Sequence, residues 1–177
     1  MQSILSKNIS NILIQYLLPF VICLLAIIIE VSLTKISFIT EVPPSFLLMI
    51  IFYWIISLKV DLSYWLIFLL GLIWDVLVGS IPGLMTSSLL ISIGCLKLII
   101  NRFTFSSYVT YFFGFSLFLL FLNFVKLIGF SMLYFSAPSY EKIIFQLCFS
   151  LVIFPFILIL LNPIKILFSI ELEELNE

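Results

Sequence analysis

The sequence predicts an all-α, polytopic transmembrane bundle of about six helices, and three observations carry that prediction. Of the 177 residues, 64% are hydrophobic and 10% charged, against roughly 45–50% and about 25% in an average soluble domain. Mean hydropathy is +1.36, so too few polar side chains remain to cover a water-facing surface. The apolar residues fall into runs long enough to cross a bilayer, with charges, Pro and Gly marking the breaks. A chain of this size reads as one integral membrane domain, residues 1–177. Its formal charge of -1 creates no field directed at nucleic acid.

Composition also limits the chemistry. There is no histidine, which removes the commonest general base and metal ligand and with them Ser-His-Asp, Cys-His and histidine metal sites. Cys23, Cys95 and Cys148 lie in separate apolar runs without CxxC spacing, so they read as small buried hydrophobes, not a disulfide framework or metal site. No cofactor is expected. Lys7 before an apolar run imitates a signal peptide. That run continues well past about 15 residues with no small-x-small cleavage site after it, so it is read as a retained first helix.

The spans follow from the punctuation. The first is expected over 12–33, ended by a polar stretch with Lys35, Thr40, Glu41 and the Pro43-Pro44 pair, which cannot lie inside a helix. A short second span covers 45–58, closed by Lys59 and Asp61. The third, 62–78, and the fourth, 84–100, are joined by Gly79-Ser80-Ile81-Pro82-Gly83, whose glycines and proline supply the backbone angles of a tight turn. Lys97, Asn101 and Arg102 close the fourth. The fifth, 106–135, is longer than a straight crossing needs; tilt, projection beyond the bilayer or an interruption near Asn123 to Gly129 remain open. Ala137-Pro138-Ser139 precedes a last span over 143–161, with Pro155 expected to kink it. Ile164, Leu167, Phe168, Leu172 and Leu175 recur at helical spacing opposite Glu171, Glu174 and Glu177, predicting an amphipathic acidic tail over 164–177. Tyr108, Tyr111, Tyr134 and Tyr140 flank the fifth span as an interfacial belt.

Orientation rests on the basic residues. With the N-terminus inside, the cytoplasmic side holds Lys7, Lys59, Lys97, Arg102 and Lys165, and the outer side Lys35 and Lys142. That excess favours an N-in, C-in arrangement.

Charges inside spans are costly, so each is a functional candidate. Glu30, Asp75 and Lys126 stand out, and at about 1.5 Å per residue all three fall in the outer half. Lys126 either pairs with Asp75 or Glu30, with Asn123 one turn away, or snorkels outward; Glu30 is read at the headgroup level. Asp75 has the strongest case. Gly71, Asp75 and Gly79 are spaced i, i+4, i+8, a face on which small residues admit another helix and the carboxyl group bonds across the contact. Ser88, Ser92 and Cys95 on the fourth span offer the expected opposing surface.

The run Gly71-Leu-Ile-Trp-Asp75-Val-Leu-Val-Gly79-Ser-Ile-Pro82-Gly83-Leu84 resembles the signature of the MreD family of rod shape-determining proteins, a G-x-x-x-D-x-x-x-G-x-x-x-G pattern at a helix and its outer turn. Length, span number and weakly charged ends extend the resemblance over most of the chain as a likeness of hydropathy. It implies a non-enzymatic component of the bacterial inner-membrane elongation complex, the elongasome, which supports side-wall peptidoglycan synthesis. Its partners would be MreC and, through it, the MreB filament, RodA and a penicillin-binding transpeptidase, besides membrane lipid; a homo-oligomer stays open. The motif residues Gly71, Asp75, Gly79, Pro82 and Gly83 would form a structural or partner-facing element. The family's fold is similar to the substrate-binding subunit of energy-coupling-factor transporters, so a small-molecule uptake subunit is the alternative. The A-x-x-x-A-type motif such subunits carry on their first helix is missing here, where Ala26 is the only alanine in that span. An intramembrane enzyme lacks a catalytic set: no HExxH, no GxSxG and a single deep carboxylate.

Overall fold

The computed structural model describes residues 17–34, 43–57, 62–79, 81–100, 107–134 and 140–176. Among them the chain forms six helices and no strands: α1 (Leu18–Thr34), α2 (Phe46–Ser57), α3 (Tyr64–Val78), α4 (Leu84–Ile100), α5 (Tyr108–Tyr134) and α6 (Tyr140–Asn176). The expected start of the first span at 12, the residues Lys7, Lys35, Lys59 and Arg102, the Ala137-Pro138-Ser139 break, and the side chains of Tyr134, Tyr140 and the acidic tail lie outside the described residues.

Two stretches, Tyr108–Leu133 and Glu141–Pro163, are long and apolar enough to cross a bilayer; α1 to α4 are shorter apolar helices. The outward surface is itself apolar, with Leu25, Val76, Leu98, Leu117, Val152 and Phe156 exposed, as a lipid-facing bundle requires.

The short second segment is the centre of the molecule. At 12 residues α2 is about 18 Å long, and from Leu47 to Ile56 every side chain except Ile50 is buried. A helix apolar on all sides has no face for water and gains most by being surrounded; α2 packs against α1, α5 and α6. Phe52 meets Phe115 and Phe154 edge-on at 5.4 and 5.9 Å between ring centroids, and those two rings stack at 4.0 Å. Aromatic geometry thus joins α2, α5 and α6 beyond simple area burial. At the start of α2 the backbone N–H of Ser45 donates to Ser150 Oγ, and Gln146 Nε2 donates to Ser45 Oγ and the Pro43 carbonyl. Pro43 and Ser45, at the entry to α2, therefore also dock onto α6.

Two long helices settle questions the sequence leaves open. α5 runs unbroken past Asn123, whose Nδ2 donates to the Leu119 carbonyl one turn back; the interruption is not made. α6 continues through Pro155 and Pro163 to Asn176, so the last span and the tail are one helix. Each proline removes one helical hydrogen bond, a loss that helices inside a membrane bundle tolerate; Tyr53 Oη of α2 ties this stretch to the core by donating to the Leu161 carbonyl.

Candidate functional site

The motif residues assemble at the α3–α4 hairpin. α3 ends because Gly79 takes the left-handed conformation (φ 68°), its N–H bonded to the Asp75 carbonyl, and Gly83 is also at positive φ (95°). L side chains rarely adopt these angles. An added Cβ at either glycine would meet nothing within 4 Å, so both are turn residues. This corrects the expectation that Gly71 and Gly79 both pack a helix above and below the carboxyl group. Gly71 alone does so: a Cβ there would lie 2.7 Å from Thr86 Cα. The obstacle is backbone, so Gly71→Ala is expected to push α3 and α4 apart and cost about 1–3 kcal/mol. Thermal unfolding in detergent measures this, and an unshifted midpoint would mean the contact is loose.

Asp75 is fully buried and lies at the N-terminus of α4. Its Oδ2 accepts from Gly83 N (2.9 Å), Thr86 N (3.2 Å) and Thr86 Oγ1 (2.9 Å), and its Oδ1 accepts from Met85 N (3.1 Å). The first N–H groups of a helix have no partner within it, and apolar surroundings leave no water to supply one. A carboxyl group from the preceding helix fills that place and complements the positive end of the helix dipole. Lys97 in the last turn of α4 closes the other end of the hairpin, donating to the Leu62 carbonyl at 3.2 Å with its ammonium 4.7 Å from the Tyr64 ring centroid.

Thr86 is the functional contact that the sequence reading missed. The expected opposing surface of Ser88, Ser92 and Cys95 does not receive Asp75. At 100° per residue Ser88 is about 200° around the helix from Thr86, and Ser92 and Cys95 instead line a groove toward α5. A serine or threonine three residues past a turn glycine was the available signal.

Glu30 is also corrected. It does not face the membrane surface from the outside of its helix: it is 1% exposed, turned into the bundle, and accepts from Trp74 Nε1 at 3.0 Å and from the backbone N–H of Leu47 at 3.3 Å. It therefore does for α2 what Asp75 does for α4, filling the N-terminus of the next helix in the chain. Lys126 lies with its ammonium 5.1 Å from the centroid of the same Trp74 ring, within electrostatic reach of Glu30 and Asp75. Among the described residues Lys126 and Glu30 make no direct bond; they meet through the indole, which gives its face to the cation and its N–H to the carboxyl group. Asn123, one turn away, is used within its own helix.

No grouping of His, Cys, Asp and Glu able to hold a metal occurs among the described residues. The buried carboxyl groups are each engaged by backbone and side-chain donors of the bundle, an arrangement that fixes helices relative to one another.

No curated protein and no solved structure is significantly similar to the chain. The family model described as rod shape-determining protein MreD matches residues 10–164, a stretch that holds the hairpin, Glu30 and Lys126. Through that match the chain belongs to the MreD family, a family of membrane proteins within the Mre shape complex that acts in rod shape determination.

Proposed function

We propose that this protein is a non-enzymatic scaffold of the bacterial cell-elongation complex, crossing the inner membrane several times with both termini in the cytoplasm. In this reading it binds MreC and, through MreC, is linked to MreB, RodA and a penicillin-binding transpeptidase, supporting side-wall peptidoglycan synthesis. The observation that supports it best is the way Asp75 is used. Both of its oxygens are occupied by donors from the α3–α4 turn, so the signature carboxyl group stiffens a hairpin in place of meeting a substrate. The stiffened hairpin keeps Val76 and Leu77 on its outer side, where both are exposed and available to a partner's transmembrane helix.

The test is affinity capture of the tagged, full-length protein from native membranes in mild detergent. MreC and the wall synthases are the expected companions. Capture of an ATPase pair with a transmembrane coupling protein, and no MreC, would overturn the scaffold and make the chain a transporter subunit.

A further inference from the structure

The α3–α4 hairpin is too short to cross a bilayer of ordinary thickness. α3 has 15 residues and α4 has 17, about 22 and 25 Å at about 1.5 Å per residue, against a hydrocarbon core of roughly 30 Å. Tilt lowers their height further. The two long helices have no such deficit, since the apolar stretches Tyr108–Leu133 and Glu141–Pro163 hold 26 and 23 residues.

Contacts between helices show where the hairpin falls short. A Cβ on Gly129 would lie 2.9 Å from Leu84 Cδ1, so the turn is level with Gly129 of α5. Past that level α5 runs on to Tyr134, about 7 Å further, and Met132 and Leu133 on this extension are apolar and exposed. α6 gives the same picture by another route. Glu30 holds Trp74 of α3 and Leu47 of α2 at one level, and Ser45, just before Leu47, holds Ser150 of α6. Toward the turn's side of the membrane, Val78 lies about 6 Å past Trp74, Ser45 about 3 Å past Leu47 and Cys148 about 3 Å past Ser150. Val78 and Cys148, both exposed, are therefore at the same height. Beyond Val78 the chain reverses at Gly79, whereas beyond Cys148 the apolar surface continues through Phe145 and Ile144, both exposed.

Either the turn is sunk in hydrocarbon or the membrane surface comes down to it. Asp75 satisfies the N–H groups of Gly83, Met85 and Thr86, but a carboxylate only accepts and offers nothing to the carbonyls of the turn, that of the exposed Pro82 among them. Carbonyls left in hydrocarbon cost more than drawing the surface in over several ångström.

We propose that the protein thins the bilayer beside the α3–α4 hairpin, the headgroup surface on the turn's side dipping by about 5–8 Å to meet the turn while it keeps its ordinary height along α6. The hairpin face is thus matched to lipid with a short hydrocarbon core. This inference rests on the chain being a membrane protein and not on its binding MreC, so the two readings fail separately.

Spin labels at equal height test it. Two full-length single-cysteine proteins are placed in vesicles of phosphatidylethanolamine and phosphatidylglycerol with oleoyl chains. One keeps native Cys148 and carries Cys23→Ala and Cys95→Ala; the other adds Val78→Cys and Cys148→Ala. Relative access of oxygen and of a nickel chelate to each label gives its depth. The label at position 78 is expected at least about 5 Å nearer the headgroups than the label on Cys148. With myristoleoyl chains, whose thinner core is closer to the height of the hairpin, that difference should fall at least two-fold. Should Val78→Cys fail to fold, Leu77→Cys at its exposed neighbour takes its place. Depths that agree within about 2 Å, or a difference indifferent to chain length, would overturn the proposal. Poor access of both reagents to position 78, the mark of a second copy or another protein lying over it, would overturn it as well.

Discussion

Replacing Asp75 by Ala is expected to destabilise the bundle by about 3–5 kcal/mol, because it strands several buried donors together. Gly83 N, Met85 N, Thr86 N and Thr86 Oγ1 all donate to this carboxyl group, and the apolar interior offers no water in its stead. The apparent melting temperature in mild detergent, read from the monodisperse fraction after heating, should fall by on the order of 10 °C. Asp75→Asn separates shape from acceptor capacity. Both oxygens of Asp75 face donors, so whichever position the amide nitrogen takes, donor meets donor. Asn should therefore not restore wild-type stability, and a loss of about 1–3 kcal/mol is expected. If the stiff hairpin is what MreC engages, recovery of MreC per molecule of protein should fall with the Ala variant even below its melting temperature. An Asp75→Ala protein melting within about 2 °C of wild type would contradict the capping role, and one that melts low yet captures MreC normally would detach the hairpin from partner binding.

The six helices were legible because each apolar run ends in charge, Pro or Gly, and lipid imposes helices on such runs. The turn glycines were legible for the same kind of local reason: Gly79-Ser-Ile-Pro-Gly83 admits few conformations other than a tight reversal. Contacts between distant residues were not. Glu30 reaches Leu47 and Trp74, 17 and 44 residues ahead, and nothing in their spacing announces the meeting. Ser92 and Cys95 looked like a packing surface for α3, but which side of α4 meets α3 depends on rotation of a helix whose residues are mostly apolar all round. The Asp75 bonds to Thr86 and the close approach of Gly71 to Thr86 set that rotation. A more general signal was present and unread. Both carboxyl groups precede a proline-containing connection and a new helix, Glu30 before Pro43-Pro44 and Asp75 before Pro82, and both serve the N-terminus that follows. A lone acidic residue near the end of an apolar helix, with proline shortly after it, is thus as good a candidate for capping the next helix as for binding a ligand.

Glu30→Ala is expected to cost about as much as Asp75→Ala, about 3–5 kcal/mol, through a different set of helices. Glu30 bonds the N-terminus of α2 and the indole N–H of α3, so its loss loosens the central buried helix on which α5 and α6 pack. Glu30→Gln should be intermediate at about 1–2 kcal/mol, since one of the two donors would face an amide N–H. Lys126→Met removes only the cation on the Trp74 face and should cost about 1 kcal/mol. The informative quantity is the coupling between Glu30 and Lys126 in a double-mutant cycle, expected at about 0.5–1 kcal/mol. If the indole transmits it, the coupling must shrink when the cycle is repeated in a Trp74→Phe background, which keeps an aromatic face but lacks the N–H. Coupling that survives this change unaltered would mean that Glu30 and Lys126 sense each other directly through space, and Trp74 would be only a packing residue between them.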